Sequence, residues 1–171
     1  MPELVTSSTE FEPVANWAKI PHGLWLKEAT AVAVDADDNV YVFNRGVQPV
    51  LVFDPDGNVI NMWGNDNPPD DVRITHDAYG NASQFWNTWF NRPHAITIDH
   101  EGNIWVVDDN AHQVHKMTKS GEFLMTVGSG TPAPKQSGDM FHRPTDVVIS
   151  KTTNEIFITD GYDNSRIHRL D

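Results

Sequence analysis

Arg45, His94 and Tyr162 are residues whose types could carry a reaction between them. A guanidinium such as Arg45 can bind both oxygens of a carboxylate at once. An imidazole such as His94 can ligate a metal ion. A phenol ordinarily titrates near ~10, so Tyr162 can take a proton at neutral pH only beside a cation or a metal. Each also has a plain structural reading. Arg45 follows a strand-like run, His94 opens one directly after Pro93, and Tyr162 sits in a Gly161-Tyr162-Asp163-Asn164 turn. His112 and His115 are three residues apart, which on a strand places them on opposite faces, and both read as structural. His22, His76, His100, His142 and His168 have no partner at ligand spacing. Asp108, Asp109, Asp160 and Asp163 fall at strand ends, where turn capping accounts for them. There are no cysteines, which removes disulfides, thiolate metal sites and Cys nucleophiles together.

Such side chains act together only if the fold brings them to one place, and an internal repeat indicates how. Residues 31–35, 39–43, 50–54 and 57–64 form a first unit of short β-branched or aromatic runs. Residues 93–99, 102–108, 113–117 and 121–128 repeat it, and 144–150, 154–160 and 166–170 begin it again. Turn dipeptides such as Asp56-Gly57 and Glu101-Gly102 separate the runs, which is hairpin chemistry. No stretch sustains a 3.6-residue apolar period, so little helix is expected. Repeated four-stranded units predict an all-β protein, a β-propeller whose first strands line a central channel. A β-sandwich would accommodate the strands but not the recurrence of Asp35, Asp99 and Ser150 at one place in each unit. The expected blades lie at about 29–64, 92–128 and 143–171, within a propeller region 11–171 preceded by a flexible 1–10.

Residues 65–91 interrupt the repeat as an insertion loop holding Phe85, Trp86, Trp89 and Phe90, aromatics that favour an ordered lid or a loop packed on the blades. Asn81-Ala82-Ser83 matches a glycosylation sequon by pattern only. The 171 residues suit one domain, and 39% hydrophobic content is enough to build a core. A net charge of −12 argues against nucleic acid or an anionic membrane as partner. No apolar run approaches membrane-spanning length, and the first ten residues lack a signal-peptide pattern, so a cytoplasmic location is the expectation.

Five runs narrow the reading: Tyr41-Val42-Phe43-Asn44-Arg45-Gly46, Arg92-Pro93-His94, Ala111-His112-Gln113-Val114, Arg143-Pro144-Thr145-Asp146-Val147 and Asp160-Gly161-Tyr162-Asp163-Asn164-Ser165-Arg166-Ile167. In this order, over residues 11–171, they resemble the NHL-repeat peptidyl-α-hydroxyglycine α-amidating lyases, the second catalytic half of peptidylglycine α-amidating monooxygenase. The resemblance implies a six-bladed propeller with zinc held by three channel histidines. Of these, His94 matches one. It further implies that Arg45 faces the substrate carboxylate and that Tyr162 is the catalytic base. The backbone carbonyls of Val32 and Ile96 match positions holding a structural calcium. The remaining zinc histidines, a second arginine and a calcium aspartate would lie on blades beyond these three. The disulfide of animal members has His142 and Asp163 at its two positions here.

Two functional readings therefore stand side by side. In one, the chain is the N-terminal half of a zinc-dependent lyase that splits a small peptide carbinolamide into amide and glyoxylate, inactive as this chain alone. In the other, it is a non-catalytic NHL propeller module that binds proteins or ligands. Three blades do not close a ring of ordinary size, so either more chain or a second copy in a homodimer is expected to complete it. A strand-like piece at 11–17 could then supply the outer strand missing from the third unit.

Overall fold

The computed structural model describes residues 11–65, 72–76, 82–86 and 88–171, the 72–76 and 82–86 strands by backbone alone. The flexible terminus expected at 1–10 lies outside them, as do Asn81 and the side chains of Phe85 and Trp86. Among the described residues thirteen strands run in order: β1 Ala29–Val34, β2 Val40–Asn44, β3 Val50–Phe53, β4 Val59–Trp63, β5 Val72–His76, β6 Ala82–Trp86, β7 Pro93–Ile98, β8 Ile104–Asp108, β9 Gln113–Met117, β10 Phe123–Val127, β11 Asp146–Ile149, β12 Ile156–Asp160 and β13 Arg166–Leu170. They pair as antiparallel meanders: β1 to β4 form one sheet, β7 to β10 a second, and β11 to β13 a three-stranded third. The molecule is all-β, an open arc of three propeller blades. Inside the insertion, β5 and β6 pair as a hairpin, Val72 opposite Trp86.

The recurring polar residue explains why each blade begins alike. The Asp35 carboxylate accepts the N–H groups of Asp37 and Asn39 at 2.9 and 3.0 Å, and Asp99 accepts those of Glu101 and Asn103 at 3.0 and 2.8 Å. Ser150 does the same with its hydroxyl, accepting from Thr153 at 3.2 Å. The side chain thus closes the turn between first and second strands. Asp35 also ties blade one to blade two through Lys119 Nζ at 2.9 Å. Burial pushes the Asp35 carboxyl up, but Lys119 and the donors of Asn39 and Asp37 outweigh it and hold it at about 2.

The blades stack through their side chains. Tyr41, Phe43, Val50, Val52 and Trp63 of blade one meet Ile96, Ile104, Val106 and Met117 of blade two around Phe90. Ala95, Trp105, Val107 and Val114 on the other face of blade two meet Phe141, Val147 and Ile158. Trp89 and Phe90, at the end of the insertion, are thus packed rather than free: Phe90 meets Phe43 edge-on at 5.1 Å, and Trp89 stacks on Trp63 at 6.4 Å. The first strands β1, β7 and β11 lie side by side at the hub. Val32 on β1 is 64% exposed there.

Residues 11–18 form no strand, contrary to the pattern of their sequence, and Phe11 and Val14 stay 82% and 75% exposed. The chain becomes useful one step later. Trp17, Ala18, Ile20 and Leu26 cover the free face of blade one at Val42, Leu51 and Phe53. Trp17 Nε1 donates to the Pro55 carbonyl at 2.9 Å, and Lys19 bridges to Asn58. Gly57 permits this crossing: its φ is 83°, and a Cβ would stand 1.9 Å from the Trp17 carbonyl oxygen. Among the described residues no helix is long and apolar enough to cross a membrane.

Candidate functional site

The site starts from the last residues of the second strands. Asn44, Asp108 and Asp160 hold this place in the three blades, and all are buried. Asp108 accepts the backbone N–H of Asn91 at 2.5 Å and of Arg92 at 2.7 Å, besides that of Ala111 in its own turn at 3.2 Å. Burial pushes its carboxyl up. Asp160 accepts the His142 N–H on both oxygens at 3.0 Å, and the Asn164 amide at 2.8 Å. These carboxylates do more than cap turns. They fix the loops that carry Arg92-Pro93-His94 and Arg143-Pro144 into the hub strands.

A β-bulge then aims His94. Pro93 pairs with Asp108 and Ala95 with Val107, so the ladder skips His94 and releases it from regular alternation. Thr30 sits in the corresponding bulge of blade one, between Ala29 and Ala31. His94 Nε2 lies 3.1 Å from the Tyr162 hydroxyl, with the rings edge-on at 5.7 Å. Arg45 approaches from blade one. Its Nε donates to the Pro93 carbonyl at 3.0 Å, and its Nη1 donates to Glu28 Oε2 at 2.6 Å. The three residues singled out in the sequence are therefore gathered at one end of the hub, His94 and Tyr162 in direct contact.

Sequence reasoning missed what surrounds them. The Arg143 guanidinium carbon lies 4.3 Å from the Tyr162 ring centroid, a cation over the ring. Asp109, fully buried, holds Arg143 Nη2 at 2.8 Å and faces Arg92 Nη1 at 3.6 Å. His112 Nδ1 accepts the Arg143 backbone N–H at 3.1 Å. Burial lowers the His112 pKa. Three of the five buried side-chain atoms without a hydrogen-bond partner among the described residues belong here: His94 Nδ1, Asp109 Oδ1 and Arg143 Nε. The turn carrying Tyr162 is clamped next door, where Asp163 pairs with Lys135 at 2.8 Å and with His142 at 3.4 Å. The two positions that hold the disulfide in animal members of the resembled family thus lie against each other here as His142 and Asp163.

The described residues do not by themselves fit a catalytic zinc centre. No group of three His, Cys, Asp or Glu among them could hold a metal ion, and His94 offers one imidazole. Val32 and Ile96 occupy matching register positions on β1 and β7, opposite Val42 and Val106.

An NHL-repeat family model matches residues 90–117, the span from the end of the insertion through β9. Peptidyl-alpha-hydroxyglycine alpha-amidating lyase 2 of Drosophila melanogaster is 33% identical over 159 residues, 90% of this chain. The chain carries an NHL repeat and resembles the amidating lyases. It covers 38% of the Drosophila lyase. A probable lyase of the same name from Caenorhabditis elegans is 42% identical over 83 residues, 48% of this chain and 23% of its own length. Peptidyl-glycine alpha-amidating monooxygenase B of Xenopus laevis is 29% identical over 168 residues, 96% of this chain and 19% of its own length. The lyase-like chain thus spans well under half of each of these relatives. A solved structure of a protein of unknown function from Bacteroides thetaiotaomicron shares the fold, with a TM-score of 0.58 at 18% identity, over 85% of this chain and 33% of its own.

Proposed function

We propose that the lyase-like chain supplies one face of a carbinolamide lyase site, acting on R–CO–NH–CH(OH)–COO⁻ and releasing an amide and glyoxylate. The observation that carries this is the His94–Tyr162 contact at 3.1 Å with Arg45 bonded to the residue before His94. In this reading Arg45 holds the substrate carboxylate. Tyr162 takes the hydroxyl proton, and the O–H electron pair becomes the carbonyl of glyoxylate. The C–N bond breaks, its pair passes to the amide nitrogen, and that nitrogen takes up the proton that Tyr162 removed. His94, hydrogen-bonded to the phenol, orients it and shares its proton.

Zinc is a proposal of the resemblance, and when bound it would acidify the substrate hydroxyl. His94 would give it one nitrogen, with the other ligands coming from outside this chain. Calcium on the Val32 and Ile96 carbonyls, a homodimer or further chain that completes the ring, and a silent isolated chain belong to the same proposal.

The test is binding rather than turnover. Sodium glyoxylate added to the purified chain is expected to shift the His94 and Tyr162 ring signals in NMR spectra. Arg45→Gln should weaken this binding roughly tenfold, since a charged hydrogen bond contributes about 1.5–3 kcal/mol. Unchanged binding in Arg45→Gln overturns the assignment, and stoichiometric zinc that resists a chelator overturns the view that His94 stands alone.

A further inference from the structure

Arg45 presents two edges on which a carboxylate can sit with both oxygens, Nε with Nη2 and Nη1 with Nη2. The first edge is closed, because Nε donates to the Pro93 carbonyl. The second is already in use, because Nη1 donates to Glu28 Oε2 at 2.6 Å. An incoming carboxylate that spans Nη1 and Nη2 therefore meets the Glu28 carboxylate at Nη1, and must share that nitrogen with it or displace it.

Glu28 is placed to be displaced. It is the last residue before β1, and its φ of 49° is in the left-handed region that a glutamate adopts at a cost. Its side chain is 56% exposed, whereas that of Arg45 is 22% exposed. The cation is anchored: its own backbone N–H donates to the Lys27 carbonyl at 2.8 Å, and Pro93 fixes the guanidinium. Of the two partners, Glu28 is the one free to swing into water. The hydrogen bond and charge of Arg45 hold the Glu28 carboxyl below the usual range, so it is an anion competing for an anion's place.

We propose that Glu28 is an internal competitor for the carboxylate seat on Arg45, a specificity-determining residue that sets how tightly the site takes a small α-hydroxy or α-keto acid. This rests on the reading that Arg45 binds the substrate carboxylate. Glu28 keeps Nη1 paired when the site is empty, and a ligand carboxylate that spans both Nη atoms exchanges that one bond for two.

Glyoxylate titrations followed by NMR on the intact chain test it with three variants. Glu28→Gln is expected to tighten glyoxylate binding roughly tenfold. Glu28→Asp keeps the charge but draws the carboxylate back by one methylene, and is expected to tighten binding about threefold. Arg45→Gln should abolish both gains. If neither Glu28 variant tightens binding while Arg45→Gln still weakens it, the competitor is overturned and the Arg45 seat stands. If Glu28→Gln tightens binding and Glu28→Asp matches the unaltered chain, only general charge is at work and occupancy of the seat is overturned. If Arg45→Gln leaves glyoxylate binding unchanged, the seat itself is overturned and the competitor with it.

Discussion

Replacing Asp109 by Asn is expected to destabilise the fold by about 3 kcal/mol, the lower end for breaking a buried ion pair by removing one partner. Asp109 is fully buried and is the shared anion of Arg143, at 2.8 Å, and Arg92, at 3.6 Å. An amide cannot balance either charge and would leave two guanidinium groups against it. The arginine side chains are 26% and 39% exposed, so water recovers part of the loss, which sets the estimate low in the range. For a chain of this length the melting temperature should fall by about 10 °C. The Tyr162 ring signals should move as well, because Arg143 would no longer be held over that ring. Calorimetry that finds the variant within about 0.5 kcal/mol of the unaltered chain would show that the pair is not structural.

A second large effect is in the pH dependence of stability. Burial lowers the His115 pKa from the ordinary 6.5 to about 4. The side chain is enclosed by Phe90 and Phe123, with Nδ1 hydrogen-bonded to Thr126 Oγ1 at 2.8 Å. A base with a depressed folded pKa is protonated first in the unfolded chain. Its stabilising share is therefore complete above pH 6.5, falls as the pH drops below that, and is gone once the pH has passed through about 4. The difference amounts to about 3 kcal/mol. Urea midpoints measured from pH 7.5 to pH 4 should fall more steeply for the unaltered chain than for His115→Leu, whose Thr126 hydroxyl loses a partner at every pH alike. Parallel curves for the two proteins would refute the assignment.

The blade strands were legible because alternation and Asp-Gly or Glu-Gly turns are local signals, whereas β5 and β6 lie in a stretch read as a loop, and the recurrence of Asp35, Asp99 and Ser150 pointed to the repeat but not to their capping. The gathering of Arg45, His94 and Tyr162 was legible from the repeat, since Arg45 and Tyr162 follow second strands and His94 begins a first strand, ends that antiparallel pairing brings to one face; only their roles came through resemblance. Asp109 and Arg143 were not, because the pair crosses from one blade to the next and depends on how the sheets stack. Glu28 escaped for another reason: it precedes β1 at the place where blade two carries Arg92, so the repeat offers no glutamate there to compare it with. The strand expected at 11–17 shows the limit of pattern alone. A run becomes a strand by finding an edge, and residues 11–18 pair with none of the described strands.

Covered faces are unequal along the arc, and this gives the molecule a gradient of local opening. In stacked repeats each unit is stabilised mainly by its neighbours, so the free energy of unfolding is close to a sum of nearest-neighbour terms. Blade two has a neighbour on each face, and blade one has blade two on one side and residues 17–26 on the other. Blade three is covered on one face, with Ile167 70% exposed on its surface. Its amide hydrogens are expected to exchange through sub-global openings, whereas those of β8 and β9 should wait for the whole arc to unfold. Tyr162 rides on the loosest unit and His94 on the tightest. Their hydrogen bond is consequently a contact between two levels of the exchange hierarchy, and whatever packs on the free face of blade three tightens the site without touching it.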